Sequence, residues 1–94
     1  MKISVIIPTF NRAELIKRSL RSVLGQTFED FEVLIVDDGS KDETYQVIKD
    51  FLSDRRVRYV YQENHGVSAA RNLGVSLSSY EWISFLDSDD EWLP

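Results

Sequence analysis

The sequence predicts an α/β fold, a three-layer α/β/α arrangement in which helices cover both faces of a mainly parallel four-stranded sheet. Two observations predict it. Four short apolar runs rich in Val, Ile, Phe or Tyr begin about 25 to 28 residues apart, and three segments with helical periodicity lie between them. Strands buried on both faces have such unbroken apolar runs. The resulting order, β-α-β-α-β-α-β, calls for parallel strands joined by right-handed crossovers.

The apolar runs define the predicted strands. Each contains five or six residues with little polar alternation, as expected where helices cover both faces of a sheet. The predicted strands are Ile3–Pro8, Phe31–Val36, Val57–Tyr61 and Trp82–Leu86.

Three predicted helices separate the strands. The first carries an apolar stripe, ends at Gly25 and has Asn11 as its N-terminal capping residue. The second begins in a capping box at 40–43. The third follows Gly66, with Ser68 as its N-cap, and its small residues predict close packing on the sheet.

Composition narrows the class of protein. The 94 residues suffice for one small domain, and 43% hydrophobic with 29% charged residues is ordinary for a soluble globular chain. The sequence has no cysteine, which excludes disulfides and thiolate metal sites. A net charge of −5 argues against nucleic-acid binding. The apolar runs are shorter than about ten residues, too short to span a bilayer, and we expect a cytoplasmic chain.

Polar residues follow every predicted strand at the point where it ends. Ligands of open α/β sheets bind outside the carboxyl ends of the strands, where the strand order reverses. Four polar clusters on one edge, two of them doubly acidic, therefore predict a binding site. The clusters are 8–12, 37–40, 63–66 and 87–90.

The last cluster suggests a metal. Asp87 and Asp89 are two positions apart, so their carboxylates can face the same side of an extended segment. Mg²⁺ or Mn²⁺ takes one or two carboxylates and completes its shell with water and substrate phosphates. Such an ion would join an acidic chain to an anionic diphosphate. The alternative, a helix cap or a solvated turn, stays open.

The other clusters also have two interpretations. In the turn after the second strand, Gly39 and Ser40 suit a tight turn into a helix, while one preceding carboxylate can bond a base or ribose. Arg12 is either a ligand contact or a solvated side chain. His65, the only histidine, is a loop residue without a catalytic partner. Neither a GxxxxGK[ST] loop nor a GxGxxG turn is present.

Taken in order, the segments SVIIPTFNR, VLIVDDGSKDET, NHGVSAARNLG and ISFLDSDD make the sequence resemble the family 2 glycosyltransferases, over essentially all 94 residues. The resemblance implies the Rossmann-like half of a GT-A fold. It also implies a nucleotide-sugar donor, most often a UDP-sugar, whose sugar passes with inversion to an acceptor hydroxyl with the help of Mg²⁺ or Mn²⁺.

The resemblance also assigns roles to residues. Asp38 would contact the base, Arg71 would approach the nucleotide, and Asp87 would contact the ribose or the metal through water. Phe10 stands where a tyrosine is often found, which keeps a stacking face but loses a hydroxyl. The implied nucleotide-sugar site is Pro8, Thr9, Phe10, Asn11, Arg12, Asp37, Asp38, Arg71, Asp87 and Ser88, with Asp89 and Asp87 as metal ligands.

The expected unit is a nucleotide-sugar-binding portion over residues 1–94, with the acceptor site and the catalytic base in a later, missing half. No residue here is then catalytic, and the acceptor of the parent would be a saccharide or a lipid-linked one. We also expect the fragment to self-associate. Two alternatives remain: a ligand-free structural fragment, or a Mg²⁺-binding receiver-type signalling module. The latter needs an aspartate after its middle strand, where this sequence has Tyr61, Gln62 and Glu63.

Overall fold

The structure is a computed structural model that describes residues 2–26 and 30–87. Within those ranges, no helix has the length and apolar character needed to cross a membrane. The elements are strand β1 (Ile3–Thr9), helix α1 (Ala13–Leu24), strand β2 (Phe31–Asp38), helix α2 (Thr44–Ile48) with a 3-10 turn (Lys49–Phe51), strand β3 (Val57–Gln62), helix α3 (Val67–Leu77) and strand β4 (Trp82–Phe85).

The four strands form one parallel sheet in the order β3-β2-β1-β4. The chain moves outward from β1 to β3, and α3 then carries it back across the sheet to place β4 on the other side of β1. The strand order therefore reverses between β1 and β4, which is where open α/β sheets bind ligands. The predicted fold class is confirmed.

Side chains of β1 alternate between two apolar layers because successive residues of a strand point to opposite faces. Val5 and Ile7 pack with the buried residues of α1 and α2, whereas Ile6 packs with those of α3. All three are fully buried. The helices thus cover both faces of the sheet, with α1 and α2 on one side and α3 on the other.

Helix α3 lies unusually close to the sheet at Gly74. A Cβ atom at this position would come 2.5 Å from Cγ2 of Ile6, a separation that side chains do not tolerate. The small residue therefore lets the helix backbone rest directly on β1, as the sequence predicted. This contact sets the distance between α3 and the face of the sheet.

The predicted N-terminal caps of the helices are wrong. Helix α1 begins after Arg12, which makes no side-chain cap, and α3 begins directly after Gly66. Asp42 accepts hydrogen bonds from the backbone N–H and the hydroxyl of Thr44, so it takes the place of the capping box predicted at 40–43. Asn11 and Ser40, which local spacing assigned to caps, take part instead in bonds between different loops.

A polar network occupies the amino end of the sheet. The buried Glu32 carboxylate accepts hydrogen bonds from the Ser4 hydroxyl (2.6 Å), the Ser79 N–H (2.6 Å) and the Arg58 guanidinium (3.1 Å). Arg58 also donates to the carbonyl of Leu77. Burial alone raises the pKa of Glu32, but these bonds outweigh it and hold the pKa below its usual value. The network ties three strands to the turn between α3 and β4.

Candidate functional site

A cavity of about 430 Å³ opens at the carboxyl ends of the strands, at the strand-order reversal between β1 and β4. Six of its lining residues belong to the nucleotide site implied by the resemblance, and they come from three different strand ends. These are Pro8, Thr9, Phe10, Arg12, Asp38 and Asp87. Asn64, Val67 and Ala70 complete the lining.

The end of β1 supplies a polar group and an aromatic face. Thr9 is 3% exposed, and its hydroxyl has no hydrogen-bond partner among the described residues. Phe10, the next residue, is 42% exposed and presents its ring to the cavity. A buried hydroxyl without a partner is costly in a protein unless a ligand or water completes it.

Asp38 joins the end of β2 to the start of α3. Its Oδ1 accepts from Nε2 of Gln62 and from the N–H of His65, both at 2.8 Å. Its Oδ2 accepts from the N–H of Gly66 at 3.0 Å. Burial raises the pKa of Asp38, but these hydrogen bonds outweigh it and hold the pKa below its usual value. The carboxylate is therefore ionised at neutral pH, with acceptor capacity left for a further donor.

Asp37 lies outside the cavity lining. Its Oδ1 accepts from the N–H of Ser40 at 2.9 Å, and its Oδ2 accepts from the Tyr59 hydroxyl at 2.7 Å. It is 1% exposed. Burial and the bond to Asp37 raise the pKa of Tyr59 well above its usual value. Of the two adjacent carboxylates, only Asp38 reaches the cavity.

Asn11 also lies outside the cavity lining, although both of its neighbours belong to it. Its backbone has φ 51°, and its amide oxygen accepts from the N–H of Lys41. Arg12, in contrast, is exposed on the cavity wall. Asn11 therefore neither caps α1 nor faces the cavity.

Arg71 and Asp87 form an ion pair at the other wall. Nη2 of Arg71 lies 3.1 Å from Oδ1 of Asp87, and the guanidinium is 5.9 Å from the centre of the Phe85 ring. Nε of Arg71 is buried and has no hydrogen-bond partner among the residues that the structure describes. The Asp87 side chain is 54% exposed, so the pair contributes little to stability by itself. Arg71 itself is not among the residues that line the cavity, and its ion pair with Asp87 joins it to that lining.

The predicted metal ligands are only partly visible. Asp87 places a half-exposed carboxylate at the cavity, and oxygen donors of this kind suit Mg²⁺ or Mn²⁺. Ser88 and Asp89 lie outside the described residues. Within 2–26 and 30–87, no three acidic or histidine side chains group into a metal site. Asp87 therefore fits one position of a metal shell, and Asp89 remains the predicted second ligand.

Sequence reasoning missed the contribution of the first turn of α3. Val67 and Ala70 form the apolar side of the cavity, and Asn64 lines both it and a neighbouring cavity of about 320 Å³. The signal for Asn64 was available, because it follows the third strand in the cluster 63–66. Nothing in the local pattern of Val67 and Ala70 separates a cavity wall from ordinary core packing.

Comparisons with known proteins agree with this arrangement. The profile of the family described as glycosyl transferase family 2 matches residues 4–94. An uncharacterized glycosyltransferase of Rickettsia bellii is 47% identical over 89 residues, which cover 95% of this chain and 13% of that protein.

Two solved structures share the fold. That of S. aureus TarS 1-349 in complex with UDP-GlcNAc superposes with a TM-score of 0.90 at 35% identity, covering 97% of this chain and 27% of that one. The mannosyltransferase PcManGT from Pyrobaculum calidifontis, in complex with GDP-Man and Mn²⁺, gives 0.91 at 28% identity, over 97% and 28%. The chain thus spans less than a third of each of these proteins. The matches favour a glycosyltransferase over a receiver-type module, and the chain belongs to glycosyl transferase family 2, with the α/β sheet of the GT-A fold.

Proposed function

We propose that this chain is the donor-binding part of a metal-dependent glycosyltransferase that transfers a sugar, with inversion, from a nucleoside diphosphate sugar to an acceptor hydroxyl. A UDP-sugar is the expected donor. One observation carries the proposal. The cavity at the strand-order reversal is lined by Thr9, whose buried Oγ1 has no hydrogen-bond partner in the described part of the chain, together with Phe10 and Asp38.

The base would lie between Phe10 and Asp38. Phe10 offers an exposed ring for stacking, and the Asp38 carboxylate accepts hydrogen bonds but donates none. Uracil and guanine offer the carboxylate a ring N–H donor, and adenine and cytosine offer it an exocyclic amino group, so the carboxylate alone does not select the base. Nucleotides of the first kind occur in the complexes of TarS with UDP-GlcNAc and of PcManGT with GDP-Man. These two complexes, together with the acceptor at Asp38, support a uracil or guanine nucleotide.

The diphosphate would lie towards Asp87, on the side of the cavity next to the carboxyl end of β4. Arg12 on the wall supplies one positive charge, but the chain has a net charge of −5. A divalent ion held by Asp87 and Asp89 would neutralise charge on the leaving diphosphate. PcManGT was solved with Mn²⁺, which supports Mg²⁺ or Mn²⁺ as the cofactor here.

Sugar transfer also needs a bound acceptor and a base within hydrogen-bond reach of its hydroxyl. The carboxylates at the cavity, Asp38 and Asp87, are assigned to the nucleotide and the metal. His65 contributes its backbone N–H to Asp38. We therefore place the base and the acceptor site in another part of a longer, cytoplasmic parent, and expect the 94 residues alone to transfer no sugar.

Calorimetric titration with UDP, in Mn²⁺ and in EDTA, tests the proposal. We expect weak binding that requires the metal, because the diphosphate otherwise faces an acidic chain. Asp89→Ala should abolish the metal dependence. Asp50→Ala is the matched control, since this exposed aspartate lies in the 3-10 turn away from the cavity. Asp42 is unsuitable because its carboxylate binds the N-termini of both α1 and α2. Equal binding in EDTA would refute the metal bridge, and no binding in either buffer would refute the donor site.

A further inference from the structure

The turn that leads from β1 into α1 has an unusual backbone. Asn11 has φ 51°, the left-handed region, and within residues 2–26 and 30–87 it is the only residue other than glycine that adopts it. Asparagine tolerates this conformation better than most residues, but the conformation still needs support from its surroundings. Helix capping does not supply that support, because Asn11 makes no cap to α1.

The support comes from the loop between β2 and α2, about 30 residues away in sequence. The backbone N–H of Asn11 donates to Oγ of Ser40 at 2.8 Å, and Oδ1 of Asn11 accepts from the N–H of Lys41 at 2.8 Å. Both bonds join Asn11, in the loop after β1, to two consecutive residues of the loop after β2. The two loops are thus held in one relative position by a reciprocal pair.

Two further contacts connect these loops to each other and to the loop after β3. The N–H of Ala13 donates to Oδ2 of Asp42 at 3.4 Å, next to the reciprocal pair. Gly39, in the loop after β2, packs so closely on Asn64, in the loop after β3, that an added Cβ would lie 3.0 Å from the Asn64 backbone nitrogen. The loops after β1, β2 and β3 therefore form one connected rim around the cavity.

We propose that Asn11 is a positioning residue for the nucleotide donor and not one of its ligands. The left-handed turn at Asn11 separates Phe10 from Arg12, and both of these line the cavity while Asn11 itself does not. Asn11 holds them there through Ser40 and Lys41. This inference rests on the proposed function, because it assigns Phe10 and Arg12 to the donor.

The role of Asn11 predicts a particular pattern of effects. Its two bonds are exposed to solvent, so they contribute little to the free energy of unfolding. Loss of the bonds would instead let Phe10 and Arg12 sample other positions, and binding would then have to order them. Nucleotide affinity should fall while the fold persists.

Three variants separate the conformation of Asn11 from its hydrogen bond. Asn11→Ala removes both the amide oxygen and the tolerance of positive φ, Asn11→Gly removes only the oxygen, and Asn11→Asp keeps both features. Gln46→Ala is the matched control, because Gln46 is an exposed amide on α2 outside the rim. The readouts are hydrogen exchange of the Lys41 amide, the dissociation constant for UDP with Mg²⁺, and the thermal midpoint.

We expect Asn11→Ala and Asn11→Gly to speed exchange of the Lys41 amide and to weaken UDP binding by about fivefold to tenfold. The thermal midpoint should change little in Asn11→Gly and fall in Asn11→Ala, whose side chain strains the left-handed turn, and Asn11→Asp should keep the protection of Lys41. Ser40→Ala should weaken binding in the wild type but have little further effect in Asn11→Ala, since both act on one loop contact.

Two results would overturn the positioning role. UDP affinity in Asn11→Gly equal to that of Gln46→Ala would do so, as would an unchanged Lys41 exchange rate. Asn11→Gly keeps the backbone conformation, so it decides the question if Asn11→Ala fails to fold. A wild-type chain that binds no UDP would instead refute the proposed function, and the Lys41 amide would then report on the loop contact alone.

Discussion

The two ends of the sheet both carry polar residues inside buried strands, but they differ in how those residues are satisfied. At the amino end, Glu32 bonds Ser4, Arg58 and the backbone of the α3–β4 turn. At the carboxyl end, Thr9 and Arg71 each keep a buried atom that has no partner within 2–26 and 30–87. A buried polar residue therefore does not by itself mark a binding site, and the proposed site lies at the end of the sheet where buried polar atoms lack partners in the described part of the chain.

The amino-end network still serves the carboxyl end indirectly. It fixes the turn through which the chain enters β4, an edge strand that pairs only with β1 in the described sheet. Asp87 lies two residues beyond the end of β4. The hydrogen-bond network around Glu32 (the closed network) therefore holds β4 in place, and β4 leads to Asp87 in the cavity wall.

The largest expected effect comes from breaking the closed network. Glu32→Ala leaves the Ser4 hydroxyl, the Arg58 guanidinium and the Ser79 N–H without their acceptor, and should lower the free energy of unfolding by about 2–3 kcal/mol. Urea unfolding measures this. Glu81→Ala is the control, since this exposed glutamate lies beside the same turn. A loss no greater than that of Glu81→Ala would show that the amino end is not a stabilising network.

A smaller effect is expected at the carboxyl end of the sheet, where a substitution should change UDP affinity more than the free energy of unfolding. Thr9→Val keeps the shape of the side chain and removes a hydroxyl that has no partner within the described residues. The free energy of unfolding should stay within about 0.5 kcal/mol of the wild type or rise slightly. UDP affinity should fall by about threefold to tenfold, the value of one hydrogen bond. Unchanged affinity together with lower stability would mean that Thr9 is structural, like Glu32.

Much of the fold follows from local patterns and one topological rule. The apolar runs locate the strands, and the carboxyl-end rule then collects Thr9, Phe10, Asp38 and Asp87 at one edge before any coordinates are known. These rules do not show that Asp38, and not Asp37, reaches the cavity. It depends on which face of β2 lies under α3, and hence on the path of the chain after β3.

The helix caps were the least predictable feature. Local spacing assigned Asn11 and Ser40 to the starts of two helices, but each bonds the loop of the other about 30 residues away. Rules of short-range spacing relate residues within one helical turn, so they cannot predict a bond between residues about 30 positions apart. The predicted self-association stays a prediction; Trp82 and Phe85 on β4 are exposed, at 60% and 47%.

The central claim is that nucleotide binds only at the end of the sheet with unsatisfied polar groups. Backbone amide shifts of the ¹⁵N-labelled 94-residue chain, titrated with UDP and Mg²⁺, test it most directly. We predict saturable shifts at Thr9, Phe10 and Gly66, and none at Ser4 or Glu32. Shifts centred on the amino end, or no saturable shift at either end, would contradict the account.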